Sequence, residues 1–210
     1  MKKNTLLSLS GGLDSCSALH IYKDSIALAV SFNYGANHNA QEIKMAKLNC
    51  ERLNIPHKVI DLTAVFKGMG SALLGNGPIP EGHYESETMK STVVPFRNGI
   101  FLSVLAGIAD DAGLGKVMIA SHSGDNAVYA DCRPEFNQAM NQAIMLGTDR
   151  LIQLITPFAD IGKPELAQLG IAAGMVPEQT YSCYKGGAIQ CGVCSTCRER
   201  DWALGLRDEP

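Results

Sequence analysis

The 210-residue sequence lacks any apolar run that reaches the ~18 residues needed to span a bilayer, and its start, MKKNTLLSLSGG, has no cleavage-site pattern. A cytoplasmic protein with no membrane partner is expected. It also lacks a basic excess. Eighteen Lys and Arg stand against 21 Asp and Glu, a formal net charge of −3, so no global field exists to hold nucleic acid, and a small molecule is the default substrate. The cysteines are not an even, spread-out set: there are seven, four of them crowded into the final segment, which argues against an oxidising compartment. Cys16, Cys50 and Cys132 stand alone in apolar or motif segments and read as small buried thiols with no chemistry.

What is present is an alternation of apolar strands and helical patterns. TLLSLS reads as a strand, and a helix follows over Ser15–Lys23 with Asp14 or Ser15 as N-cap. SIALAVSFNYG is a second strand. The helix after it, NAQEIKMAKLNCERLN, places Ile43, Ala46, Leu48 and Leu53 near a 3.6-residue period, and HKVIDL is a third strand. Such βαβαβ order predicts a doubly wound α/β fold with a parallel sheet covered on both faces. Residues 64–95, rich in glycine, read as a surface excursion that forms either a lid over substrate or plain disorder. A strand-like TVVPF precedes Arg97. Helix and strand patterns resume from Asn98, with Met140 and Met145 expected in the core. The boundaries drawn are an α/β domain over 1–180 and a cysteine-rich segment over 181–210.

Two motifs carry chemistry. In SLSGGLDS, Gly11 and Gly12 permit backbone geometries that aim successive N–H groups at an anion, and the following helix adds its positive end. Ser10 and Ser15 can donate to phosphate oxygens, and Asp14 can hold Mg²⁺ or cap the helix. The same residues also suit a tight capped turn. This loop carries neither G-x-x-x-x-G-K-[ST] nor G-x-G-x-x-G, which removes the main support for a kinase-type cradle or dinucleotide oxidoreduction. The second motif sets Cys183, Cys191, Cys194 and Cys197 at C-x₇-C-x₂-C-x₂-C spacing. Four thiolates close a tetrahedral shell around Zn²⁺ with no open position, so the metal is expected to be structural; free thiols or two disulfides are the other reading.

The S-G-G-x-D-S stretch resembles the PP-loop of N-type ATP pyrophosphatases, a superfamily of adenine nucleotide alpha hydrolase-like fold. The match covers Ser10, Gly11, Gly12, Leu13, Asp14 and Ser15. Together with SFNYG, VPFRN, YADCRPEF and the SCYKGG…CGVCSTCRER tail, in that order, the whole chain is similar to the 7-cyano-7-deazaguanine synthase family. NYGANHNAQE and ASHSGDNAVYADC depart from that family's pattern. The resemblance implies an enzyme, a C–N ligase, that consumes ATP with Mg²⁺ and ammonia. It would convert 7-carboxy-7-deazaguanine into the nitrile through adenylylated acid and amide intermediates. It further implies a homodimer and no direct nucleic-acid contact.

Asp14, Ser15 and Lys163 are the expected catalytic residues, with Lys163 read as either a phosphate contact or a solvated helix-start lysine. Arg97, Asn98, Asp131 and Arg133 are expected to bind substrate, the last two reading a guanine-like edge; Asn98 also suits a helix N-cap. Tyr34 is a candidate for stacking on a ring. His38 and His122 are expected at strand ends facing the cleft, but a lone histidine is more often a polar surface residue, and neither is assigned a role. Three other functions stay open: an enzyme that stops at the amide, a PP-loop enzyme acting on tRNA, and a non-catalytic zinc-ribbon module.

Overall fold

The computed structural model describes residues 3–84 and 87–209. Five strands, β1 (Thr5–Ser8), β2 (Ile26–Asn33), β3 (His57–Asp61), β4 (Lys116–Met118) and β5 (Gln153–Ile155), form one parallel sheet in the order β3-β2-β1-β4-β5. β1 is central, with Leu6 opposite Leu28 on β2 and Val117 on β4. Successive strand side chains point to opposite faces, so Leu6 and Leu7, both fully buried, seed two separate cores.

On one face Leu6, Val30, Phe32 and Val117 pack against Leu102, Leu105 and Ala109 of α4 (Arg97–Asp111) and Ile144 of α5 (Pro134–Leu146). On the other, Leu7, Ala29 and Met118 meet Leu13, Cys16 and Leu19 of α1 (Leu13–Ile21), Ala46 and Cys50 of α2 (Asn39–Leu53), and Leu166 and Ala167 of α6 (Lys163–Ala172). Each fully buried leucine contributes about 1.5–3 kcal/mol relative to exposure. This is the doubly wound arrangement expected. A short α3 (Thr63–Phe66) follows β3, and α7 (Ser195–Ala203) ends the cysteine segment. Strand order reverses at β1, between β2 and β4, and the crevice beyond the carboxyl ends there is the ordinary ligand site of such a sheet. Among the described residues no helix is long and apolar enough to cross a membrane.

Several expectations need correction. TVVPF is not a strand: a 3-10 turn covers Glu87–Thr92, and Phe96 takes a left-handed φ of 55° before α4. Pro95 has no N–H for a ladder, which disfavours a strand there. The excursion over 64–95 is packed, burying Phe66, Leu73, Met89 and Val94; Glu85 and Ser86 lie outside the described residues. α1 starts at Leu13 with Gly12 as N-cap and no side-chain cap, so Asp14 and Ser15 occupy its first turn. β3 is a half-exposed edge strand rather than one covered on both faces. On α2 the buried positions are Asn39, Ala46, Asn49 and Cys50 while Leu48 is exposed; the inner face carries the polar Asn49, whose side chain is satisfied by His20 and the Met45 and Gln179 carbonyls. Met140 packs beside the core and Met145 is half-buried.

Candidate active site and cysteine cluster

The Ser10–Ser15 loop is built by contacts between neighbours. Gly11 has φ +102°, and a Cβ there would run into the Glu42 carbonyl oxygen of α2. The Gly11 N–H donates to Ser15 Oγ at 3.1 Å and the Gly12 N–H to Ser10 Oγ at 3.1 Å, while the two hydroxyls lie 2.9 Å apart. Two N–H groups, two hydroxyls and the first turn of α1 thus converge at the carboxyl end of β1, a constellation suited to an anion.

Beside it lies a buried charge cluster. Lys163, the first residue of α6 and 7% exposed, places Nζ 3.2 Å from Asp14 Oδ2 and 2.7 Å from Glu199 Oε2. Asp14 and Glu199 hold the ammonium charged, raising its pKa against the opposing effect of burial. His122 is also buried, and its Nε2 has no hydrogen bond while lying 3.7–3.9 Å from Asp14, Asp125 and Glu199. Asp14 Oδ1 is buried without a partner.

Across the cleft, Asn39 shapes the turn after β2, its side-chain oxygen accepting from the Tyr34 and Ala36 N–H groups. That turn presents His38 and Glu42, which lie 3.7 Å apart. Burial pushes the Glu42 carboxyl up to about 8 and the His38 imidazole down to about 3. Arg97, at the start of α4, donates to Tyr34 Oη at 3.3 Å. Asn98 is fixed by Asp131, whose carboxylate accepts the Asn98 N–H at 2.8 Å, and by Cys132, whose sulfur accepts from its side-chain amide. Tyr84, Tyr129 and Tyr184 complete the lining: Tyr129 Oη pairs with Thr92 Oγ1 and with Tyr184 Oη, and Tyr84 Oη donates to Asp125 Oδ1.

The cysteine segment adjoins this cleft. The sulfurs of Cys183, Cys191, Cys194 and Cys197 all lie within 4.8 Å of one another, with Cys191 and Cys197 at 4.0 Å. A tetrahedral Zn²⁺ with bonds of about 2.3 Å needs sulfurs about 3.8 Å apart, so the set fits a metal such as zinc. The Cys191 N–H donates to Cys183 Sγ and the Cys194 N–H to Cys191 Sγ, both at 3.4 Å.

The family described as queuosine biosynthesis protein QueC matches residues 4–207. The chain belongs to this enzyme family. A Porphyromonas gingivalis relative named 7-cyano-7-deazaguanine synthase is 47% identical over 204 residues, covering 97% of this chain and 93% of the relative. One of the same name from Desulfotalea psychrophila is 44% identical over 204 residues, covering 96% and 93%. The NMN synthetase of Francisella tularensis shares the fold, with a TM-score of 0.53, 15% identity, and coverage of 98% of this chain and 78% of that one. Membership of an enzyme family removes the non-catalytic zinc-ribbon reading.

The structure gathers Ser10, Gly12, Leu13, Asp14, Ser15, Arg97, Asn98 and Lys163 around one cleft, with Gly11 packed against the Glu42 carbonyl of α2. It does not bring Asp131 and Arg133 there. The Asp131 carboxylate is used at the start of α4, and the exposed Arg133 donates Nε–H to the Asn126 carbonyl. Cys132, expected to be inert filler, lines the cleft. The Tyr34 ring is packed edge-on against Phe66 and Phe101 rather than free to stack on a ligand. Lys163 is not solvated, and His38 and His122 are buried rather than surface residues. Glu42, Asp125, Glu199, Tyr84, Tyr129 and Tyr184 were missed by sequence reasoning. Only the His38/Glu42 spacing on α2 hinted at any of them.

Proposed function

We propose that this chain converts 7-carboxy-7-deazaguanine and ammonia into 7-cyano-7-deazaguanine with two ATP, each cleaved to AMP and pyrophosphate. The observation that carries this is the family match across residues 4–207, and the anion-suited loop at Ser10–Ser15 in a cleft that also holds Arg97 and Lys163 supports it. A carboxylate is a poor electrophile, since its charge repels nucleophiles and oxide does not leave. Attack of a carboxylate oxygen on the α-phosphorus of ATP expels pyrophosphate and leaves AMP as a good leaving group. Ammonia then adds at the acyl carbon, AMP departs, and one proton is lost to give the amide. The amide oxygen attacks a second ATP, and departure of AMP with both N–H protons leaves the nitrile.

Each residue has a task in that sequence. Gly11 and Gly12, with Ser10, Leu13 and Ser15, present the loop that takes the pyrophosphate portion of ATP. Lys163 offsets charge as pyrophosphate leaves. The buried, partnerless Asp14 Oδ1 suits Mg²⁺, which when bound neutralises phosphate charge. Arg97 forms no ion pair among the described residues and donates only to Tyr34, so its guanidinium suits the substrate carboxylate. Asn98 is held beside it. Zn²⁺ on the four cysteines has a structural role.

Incubating the protein with Mg-ATP, ammonium and 7-carboxy-7-deazaguanine, followed by mass spectrometry and nucleotide analysis, tests this. The expected products are the nitrile, lighter than the amide by one water, and AMP at two per nitrile. ADP as the main nucleotide product overturns the mechanism. Accumulation of amide alone identifies an enzyme that stops after one activation. Adenylylation of tRNA with no consumption of the deazaguanine overturns the substrate.

A further inference from the structure

We infer that Glu199, on the helix that begins within the cysteine motif, is a positioning residue for the ATP site. It holds Lys163 in place beside Asp14, so that folding of the cysteine segment completes the phosphate-handling cluster. The inference rests on the reading that the Ser10–Ser15 loop takes ATP.

Glu199 lies two residues after Cys197 on α7, in the stretch CRER. It is only 3% exposed, and both oxygens are directed inward. Oε2 accepts from Lys163 Nζ at 2.7 Å, and Oε1 lies 3.8 Å from the buried His122 Nε2. The same Nζ lies 3.2 Å from Asp14 Oδ2. The lysine is therefore shared between a carboxylate of the phosphate loop and one of the cysteine segment, and the shorter contact is to the segment.

Two physical consequences follow. A lysine side chain carries about 2 kcal/mol of rotamer entropy; anchored at one carboxylate only, it would close fully onto Asp14 and compete with any cation there. Glu199 restrains it. Second, α7 is itself held by contacts that do not involve the cluster: the Arg200 guanidinium donates to the Pro177 carbonyl at 2.9 Å and the Ser195 N–H to the Pro80 carbonyl at 3.3 Å. A carboxylate on so fixed a helix sets the lysine's position by reference to the four cysteines.

The test is a double-mutant cycle on the full-length protein with E199Q, K163M and the pair. Metal content, melting temperature, ATP affinity by calorimetry and kcat/KM for ATP are read on each. E199Q should keep the wild-type zinc content and fold while losing kcat/KM on the order of ten- to a hundredfold, the usual effect of removing a group that orients a functional one. K163M and K163M/E199Q should then be equal within about twofold, since Glu199 acts only through Lys163. E199D, one methylene shorter but still charged, should recover part of the loss, and it carries the same cycle if E199Q does not fold. Multiplicative losses in the pair, or an E199Q protein with wild-type kcat/KM, overturn the inference alone. A wild-type protein that neither binds nor cleaves ATP overturns the ATP reading and the inference with it.

Discussion

Gly11 shows how much one residue decides. Its φ of +102° and the Glu42 carbonyl behind it leave no space for a side chain. Gly11→Ala should therefore cost about 1–3 kcal/mol from backbone strain alone and abolish ATP cleavage, measured as loss of pyrophosphate release alongside a lowered melting temperature. Glu42 gives a pH signature. Its carboxyl is raised from 4.5 to about 8 by burial, so between those values the unfolded chain holds fewer protons at this site than the folded one. Stability contributed here is present at low pH and lost as pH rises through about 8. Glu42→Gln should remove that decline, read as a flatter melting temperature against pH than wild type. The loop residues Ser10 to Ser15 were legible because they are contiguous, and their chemistry follows from local geometry. Glu42 was not, because its role depends on α2 crossing behind the loop.

At the level of elements, helix starts and the cysteine segment organise the cleft. α4 begins with its Asn98 N–H bonded to the Asp131 carboxylate, a contact that spans 33 residues of sequence. Asp131→Ala should cost about 1 kcal/mol, the usual loss for a helix-cap contact. It should also weaken use of the deazaguanine more than ATP binding, checked by separate KM measurements. The spacing of Cys183, Cys191, Cys194 and Cys197 was readable, and the four sulfurs do meet. Cys194→Ser should drop zinc well below one equivalent by metal analysis and lower the melting temperature, since metal binding and folding of such a segment are one event. What spacing could not give was the direction of α7, which turns Thr196 toward the cleft and Glu199 toward Lys163.

For the whole molecule, the cleft lies where strand order reverses at β1, so ligands at its two ends load different parts of the fold. At a hundred times its Kd a ligand stabilises by about 2.7 kcal/mol, and each 1 kcal/mol shifts the melting temperature of a domain this size by about 2–4 °C. Mg-ATP and 7-carboxy-7-deazaguanine should each raise the melting temperature by several degrees. Arg97→Met should abolish the shift from the carboxylate ligand while keeping that from ATP; a variant that keeps both contradicts the placement of the carboxylate at Arg97. The sequence by itself determined the α/β class, the turn at Ser10–Ser15 and the cysteine set, because strand and helix periodicity, a glycine pair and a C-x₂-C step act over a few residues. The tertiary structure alone decided that Lys163 is buried between Asp14 and Glu199, that His38 and Glu42 lie side by side, and that Asp131 and Arg133 are not among the residues lining the cleft. Those outcomes depend on which helix crosses which strand end and how much water is excluded there, and long-range packing sets both.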